Sequence, residues 1–164
     1  MTSSIQFDFT ALAKVDPMLE RLATDINKTG KQALNATTRI LKAELKRGLA
    51  GELNMPMAVI RRRVPLKNRG SATEKKIWLG LNPVAVSRLN PKQHRKGVKA
   101  RRYVFEGAFI APTKGGLQVF RRVGRKRLPI LKQFVAIEDQ SVPRAKEVIK
   151  KAGFIFNQEF EKRL

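Results

Sequence analysis

The sequence predicts an α+β domain in which a long N-terminal helix and a C-terminal helix pack on a small, mainly antiparallel β-sheet. Three observations carry that expectation. Apolar residues recur at three- and four-residue steps from about 17 to 53 and again from about 141 to 164, they alternate at two-residue steps in parts of the intervening region, and no internal repeat or low-complexity tract interrupts the chain. A length of 164 residues with 42% hydrophobic content suits one domain with a real core. That domain divides into a helical part over 15–64, a strand-rich basic part over 74–137 and a C-terminal helix over 141–164.

In the first part, Leu19, Leu22, Ile26, Ala33, Ile40, Leu41, Leu45 and Leu49 form an amphipathic stripe. Gly30 costs about 1 kcal/mol relative to alanine inside a helix, so one long helix and two in series both remain open. Gly48 and Gly51 are expected to fray its end. The stretch LAGELNMPMAVIRRRV, residues 49–64, then places Asn54 where a turn needs a left-handed residue and Pro56 where a short helix from Met57 to Val64 would open. This is the outline of a helix-turn-helix. In one reading Arg61, Arg62 and Arg63 enter a major groove; in the other the stretch is a helix break beside a solvated basic face. The long preceding helix fits poorly with the compact trihelical unit that usually carries the motif.

Beyond Pro65, KNRGSATEK reads as a loop, and Ile77, Leu79 and Leu81 alternate as a strand that Asn82 and Pro83 end. The polar, basic segment 87–100 reads as a mobile loop, punctuated by Pro91 and Gly97. RRYVFE, GAFIAP and GLQVFRRV are strand candidates, with a turn at Lys114 to Gly116 making a hairpin of the last two, and a further strand is expected within 128–137. Ser141 and Pro143 mark the start of the final helix, whose inner face carries Ala145, Val148, Ile149, Ala152, Phe156 and Phe160.

Lysine and arginine number 35 against 13 acids, a formal charge of +22. Self-repulsion on that scale points to a polyanionic partner, nucleic acid first. Counting along the sequence, residues 61–132 hold 21 of the 35 basic residues and only 2 acids, Glu74 and Glu106. Three clusters are the candidate nucleic-acid contacts: Arg61, Arg62 and Arg63; Lys92, Arg95, Lys96, Lys99, Arg101 and Arg102; and Arg121, Arg122, Arg125, Lys126 and Arg127. Aromatic residues near them, Tyr103, Phe105, Phe109 and Phe120, are expected to serve packing before stacking on bases.

Other classes find little support. His94 is the only histidine and lies in a basic segment, KGG at 114–116 lacks the spacing of a phosphate-binding loop, and the acids form no acid–base or metal motif, so neither catalysis nor a cofactor is expected. With no cysteine, disulfides and thiolate metal sites are excluded. No run approaches the roughly 18 apolar residues of a membrane span, and MTSSIQFDFT lacks the pattern of a signal peptide, so no membrane partner is expected.

The block RRYVFEGAFIAPTKGGLQVFRRVGRKRLPI, residues 101–130, resembles the minor tail protein Z family of long-tailed, lambda-like bacteriophages. The resemblance rests on Gly107, Ala108, Phe109, Ile110, Gly116, Val119, Arg122, Val123, Gly124, Pro129 and Ile130; Phe105 and Glu106 depart from the isoleucine and proline often found there. It implies a virion protein at the head-proximal end of the tail or neck, present in the host cytoplasm during assembly, that completes the tail and joins it to the head. It also implies a ring of identical subunits, a hexamer by family analogy, with the tail terminator or tail tube as neighbours and phage DNA contacted without sequence specificity. Phe109, Ile110, Leu117, Val119 and Phe120 are the expected subunit interface, because an open Leu117 to Val123 edge would invite strand pairing. Charge repulsion would keep the isolated chain monomeric at low salt. The rival readings are a helix-turn-helix DNA-binding protein using residues 49–64 and a ribosomal-type RNA binder.

Overall fold

Helix α1 runs unbroken over Pro17–Glu52, about 54 Å by helical rise, and everything else is arranged along it. The computed structural model describes residues 2–6, 17–65 and 70–164. The order is β1 (Thr2–Gln6), α1, α2 (Met57–Arg63), β2 (Glu74–Trp78), β3 (Val84–Ala85), a 3-10 turn (Val86–Leu89), β4 (Lys92–His94), β5 (Gly97–Ala100), β6 (Tyr103–Glu106), β7 (Ala108–Thr113), β8 (Gly116–Arg122), β9 (Ile130–Lys132), β10 (Phe134–Val135), α3 (Glu138–Lys150) and α4 (Ala152–Glu161). The protein is α+β. Its β component is a set of short antiparallel sheets: β1–β2, β3–β10, the meander β4–β5–β6 and the meander β7–β8–β9.

Neither Gly30 nor Gly48 nor Gly51 breaks α1, because packing along the helix outweighs their weak propensity. Leu41, Leu45, Leu49 and Leu53 form a buried stripe that meets Val59, Ile60 and Val64 from the α2 region, Leu79, Val84, Val86, Leu89, Val98, Ala108 and Val119 from the strands and turns, and Val148 and Ala152 from the C-terminal helices. Upstream, Ala33 and Leu34 meet Phe156, with Phe160 packed beside it, where α4 lies along α1. Leu19, Leu22 and Ile40, expected on the inner stripe, are exposed. At Gly48 the absent side chain leaves room for Arg144 of α3, whose guanidinium pairs with Glu147 at 2.7 Å and approaches Glu52 at 3.5 Å. Lys151 pairs with Glu44, a second strap from the C-terminal helices to α1.

The α1–α2 corner follows the expected chemistry. Asn54 adopts φ 46°, its N–H donates to the Gly51 carbonyl, and the Met55 N–H reaches back to the Ala50 carbonyl, each at 3.1 Å. These two bonds form a Schellman motif, with Met55 buried as its apolar clasp. Tyr103 donates its hydroxyl to the Leu53 carbonyl at 2.8 Å, which ties β6 to the end of α1 and satisfies a carbonyl beyond the helical ladder.

Elsewhere the elements differ from expectation. Segment 87–100 is ordered as a 3-10 turn and two paired strands, with Gln93 accepting from the Ile110 N–H and donating to the Gly97 and Ala108 carbonyls. Alternation was hidden there because β4 is exposed on both faces. β1, unanticipated among the polar opening residues, pairs with β2 from Thr2↔Trp78 to Gln6↔Glu74. β2 itself starts at Glu74 and ends at Trp78, before Leu79 and Leu81. The strand expected within 128–137 is two, since β9 joins β8 and β10 joins β3. Helix α3 begins three residues before Ser141, where Glu138 and Asp139 complement the positive end of the helix, and Pro143 sits inside it. The C-terminal helix divides at Lys151 into α3 and α4. Part of the KNRGSATEK loop lies outside the described residues.

Three substitutions test the corner. Asn54→Ala is expected to cost about 1 kcal/mol and Asn54→Gly to be neutral or better, because only glycine enters the left-handed region freely. Tyr103→Phe is expected to cost about 1 kcal/mol by orphaning the Leu53 carbonyl, read as a fall in thermal midpoint of about 2–4 °C.

Candidate nucleic-acid interface

A two-residue β-turn turns long side chains outward, and Arg95, Lys96, Arg101, Arg102 and Lys114 sit at such turns. Arg95 and Lys96 join β4 to β5, and Arg101 and Arg102 join β5 to β6, with Arg101 in the left-handed region at φ 56°. Successive turns of a meander lie at opposite ends, so the cluster that looked continuous in sequence is divided in space. Lys92 and Lys99 face each other across the β4–β5 ladder, both exposed. Every residue from Arg121 to Lys132 is exposed, and the connection carrying Arg125, Lys126 and Arg127 forms the end of an arm built by β8 and β9.

The nominated cations fall into two groups. Arg63, Arg102 and Arg122 are internal straps: Arg63 donates to the Pro83 carbonyl at 3.1 Å, Arg102 to the Gln140 side chain at 2.8 Å, and Arg122 to the Arg127 carbonyl at 2.8 Å. Arg102 also lies over the Tyr103 ring and Arg122 over the Phe109 ring. Burial, together with the charge of Arg88, lowers the pKa of Arg63 from its ordinary value. Arg61, Arg62, Lys92, Arg95, Lys96, Arg101, Arg121, Arg125, Lys126 and Arg127 are exposed. Ion pairs between described residues use Lys76, Arg144, Lys151, Lys162 and Arg163, and none of the nominated cations takes part.

The nearby aromatics pack. Tyr103 and Phe105 lie against the core, and Phe109 and Phe120 face each other at 6.2 Å, half-buried. The expected subunit interface is altered in the same region. β8 is the middle strand of its sheet, with β7 on one side and β9 on the other over Phe120–Arg122, so it offers no continuous open edge. Val119 belongs to the core and Ile110 packs against it, leaving Leu117 as the fully exposed member of the five.

A further set of cations was missed. Arg39, Lys42, Lys46 and Arg47 lie on one face of α1, and Arg61 of α2 stands beside them. Lys42 and Lys46 are buried, and burial lowers the pKa of each; Lys46 adds repulsion at Lys42, and Arg61 adds it at Lys46. The signal was the three- and four-residue spacing of 39, 42 and 46, which α1's overall near-balance of charge concealed. Arg61 therefore borders α1 rather than projecting on a free recognition helix, and α2 has only seven residues.

Among the described residues no three His, Asp or Glu side chains gather as a metal site, and no helix is long and apolar enough to cross a membrane. No family model, curated protein or solved structure matches the chain.

The crowded lysines set a pH dependence. A lysine with a depressed folded-state pKa destabilises the fold fully below that pKa, and the penalty disappears as pH rises toward the unfolded value of about 10.4. Thermal midpoint is therefore expected to increase as pH rises toward about 10.4. Lys46→Met should raise the neutral-pH midpoint and flatten this rise, by removing a buried cation that faces Arg61; Arg39, Arg47 and the Glu159-paired Arg163 remain around the site.

Proposed function

We propose that the chain is a structural, non-enzymatic subunit of a phage tail, acting at the head-proximal end or neck in tail completion and head–tail joining. It holds the DNA end through phosphate contacts without reading sequence. The observation that carries the DNA contact is the exposure, with no carboxylate partner among the described residues, of Arg61, Arg62, Arg95, Lys96, Arg101, Arg121, Arg125, Lys126 and Arg127. Cations so disposed attract polyanions and release counterions on binding, and Tyr103, Phe105, Phe109 and Phe120 near them are at least half-buried.

The tail assignment rests on the resemblance of residues 101–130, a block that spans β6, the β7–β8 hairpin and the cationic arm. In this reading copies of the chain form a ring around the tail axis beside a terminator or tube protein, and basic surfaces face the lumen. The arm supplies exposed apolar residues for subunit contact, Leu128 and Leu131, next to its arginines, and Leu117 is exposed at the other end of β8. Repulsion between copies opposes closure until DNA or an acidic neighbour offsets it.

Binding to random and selected duplexes tests the DNA contact. The expected result is no preferred site and a steep fall in affinity with salt; a site bound about a thousandfold above random DNA would instead favour the helix-turn-helix reading. Electron cryo-microscopy of particles tests the location, with axial density for this chain at the head–tail junction as the expected outcome and its absence from particles counting against the tail reading.

A further inference from the structure

Beyond the turns and the arm, the molecule has an open groove of about 1130 Å³ along α1, closed on one side by the start and middle of α2 and at one end by Arg163. Arg39, Lys42, Lys46, Arg47 and Arg61 reach it, and no carboxylate is among its described lining residues. Ala36 and Ala43 add small side chains to the lining, and Gln32 and Asn35 add neutral amides. Arg163 is already engaged, since it pairs at 2.8 Å with Glu159, which Lys162 shares, and donates to the Glu159 carbonyl.

We propose that this α1–α2 groove is the principal phosphate-binding track of the protein, taking several consecutive phosphodiesters of a nucleic acid backbone along Arg39, Lys46, Arg47 and Arg61. The proposal rests on the polyanion reading given above and assigns its main contact to a helical surface rather than to the basic strand region.

Length argues for a chain of phosphates over a single ion. Residues 39 to 47 cover about 12 Å of helix axis, against about 3.4 Å of duplex axis per phosphate on one strand, so the stripe faces roughly three phosphates. Rigidity favours this surface. Arg39, Lys46 and Arg47 stand on the middle of a long packed helix, so binding orders only side-chain ends there. Energetics argue in the same direction. Folding already brings Lys46 out of water and against Arg61, and its depressed pKa registers that cost; a phosphate in the groove relieves both. Small and amide side chains in the lining leave space for sugar and phosphate oxygens, and the described lining has no aromatic residue on which a base would stack.

The test compares two full-length variants that lose the same charge at different places: Arg39→Gln/Lys46→Gln/Arg47→Gln in the groove and Arg125→Gln/Lys126→Gln/Arg127→Gln on the arm. Affinity for a random duplex of about 30 base pairs is followed by fluorescence anisotropy over salt from about 50 to about 200 mM. The groove variant is expected to lose about 2 to 3 units of the log–log salt slope and at least about tenfold in affinity, with the arm variant losing less than half as much. The charge-keeping Arg39→Lys/Lys46→Arg/Arg47→Lys should retain the slope. Equal losses in both triple variants, or an unchanged slope in the groove variant, overturn the groove and leave the DNA reading standing. Failure of the unmodified chain to bind the duplex overturns both, as does binding to polyglutamate but not DNA. A second measurement does not depend on variants: duplex should protect Arg39 and Arg47 of the unmodified chain from an arginine-directed dicarbonyl reagent more strongly than Arg125 and Arg127, all four being exposed, and the reverse order overturns the proposal.

Discussion

The packing of Leu41, Leu45, Leu49 and Leu53 against everything that follows them is the constraint from which the architecture derives. Four leucines at four-residue steps make a stripe that turns slowly around α1, so elements from different parts of the chain meet it at different heights. Val59 and Ile60 meet it from α2, Val84, Val98 and Val119 from the strands, and Val148 from α3. The sheets are too short to bury a core between themselves, and α1 supplies the common surface that each needs. Its continuity through three glycines follows, because interrupting the helix would separate several packing contacts at once.

That arrangement also determines where charge can go. One face of α1 is committed to the core, and the face bearing Arg39, Lys42, Lys46 and Arg47 is drawn toward α2 by the same Schellman turn that buries Val59 and Ile60. Placing Arg61 beside Lys46 is thus a consequence of folding the corner. Acids that could relieve it are used elsewhere: Glu44 holds Lys151, Glu52 and Glu147 hold Arg144, and Glu159 holds Lys162 and Arg163. These carboxylates therefore fasten the C-terminal helices to α1 or pair within those helices, while the basic surfaces are left to solvent or to a partner.

How legible this was depends on how local each determinant is. The fold class, the long helix, the left-handed Asn54 and the β7–β8 hairpin follow from periodicity and turn chemistry within a few residues. β1 was not legible, since TSSIQ is a strand only because β2 pairs with it. Nor was β4, whose exposed side chains carry no alternating signal and whose place is fixed by Gln93 bonding to the backbone at Gly97, Ala108 and Ile110. For the candidate site, the abundance of cations was plain but their division was not. Nothing in the spacing of Arg101 and Arg102 says that they stand across a meander from Arg95 and Lys96, or that Arg63, Arg102 and Arg122 would be engaged within the fold.

Equal charges in this protein are consequently unequal in what they can do. An arginine on an exposed turn is already well hydrated, so a phosphate that meets it exchanges one set of favourable contacts for another and gains chiefly through counterion release. A lysine held under Arg61 has lost hydration in folding and is repelled by its neighbour, so the same phosphate recovers free energy that the fold gave up. A polyanion that fills the cationic face stabilises the folded state by linkage, and the stabilisation grows with the number of crowded cations it reaches. For a chain with a formal charge of +22, association between copies is opposed by the same repulsion that, in the proposed reading, favours a polyanion. On that proposal, neutralisation of one surface would lower the barrier to bringing a second copy alongside, which would couple occupancy by the polyanion to assembly through charge alone.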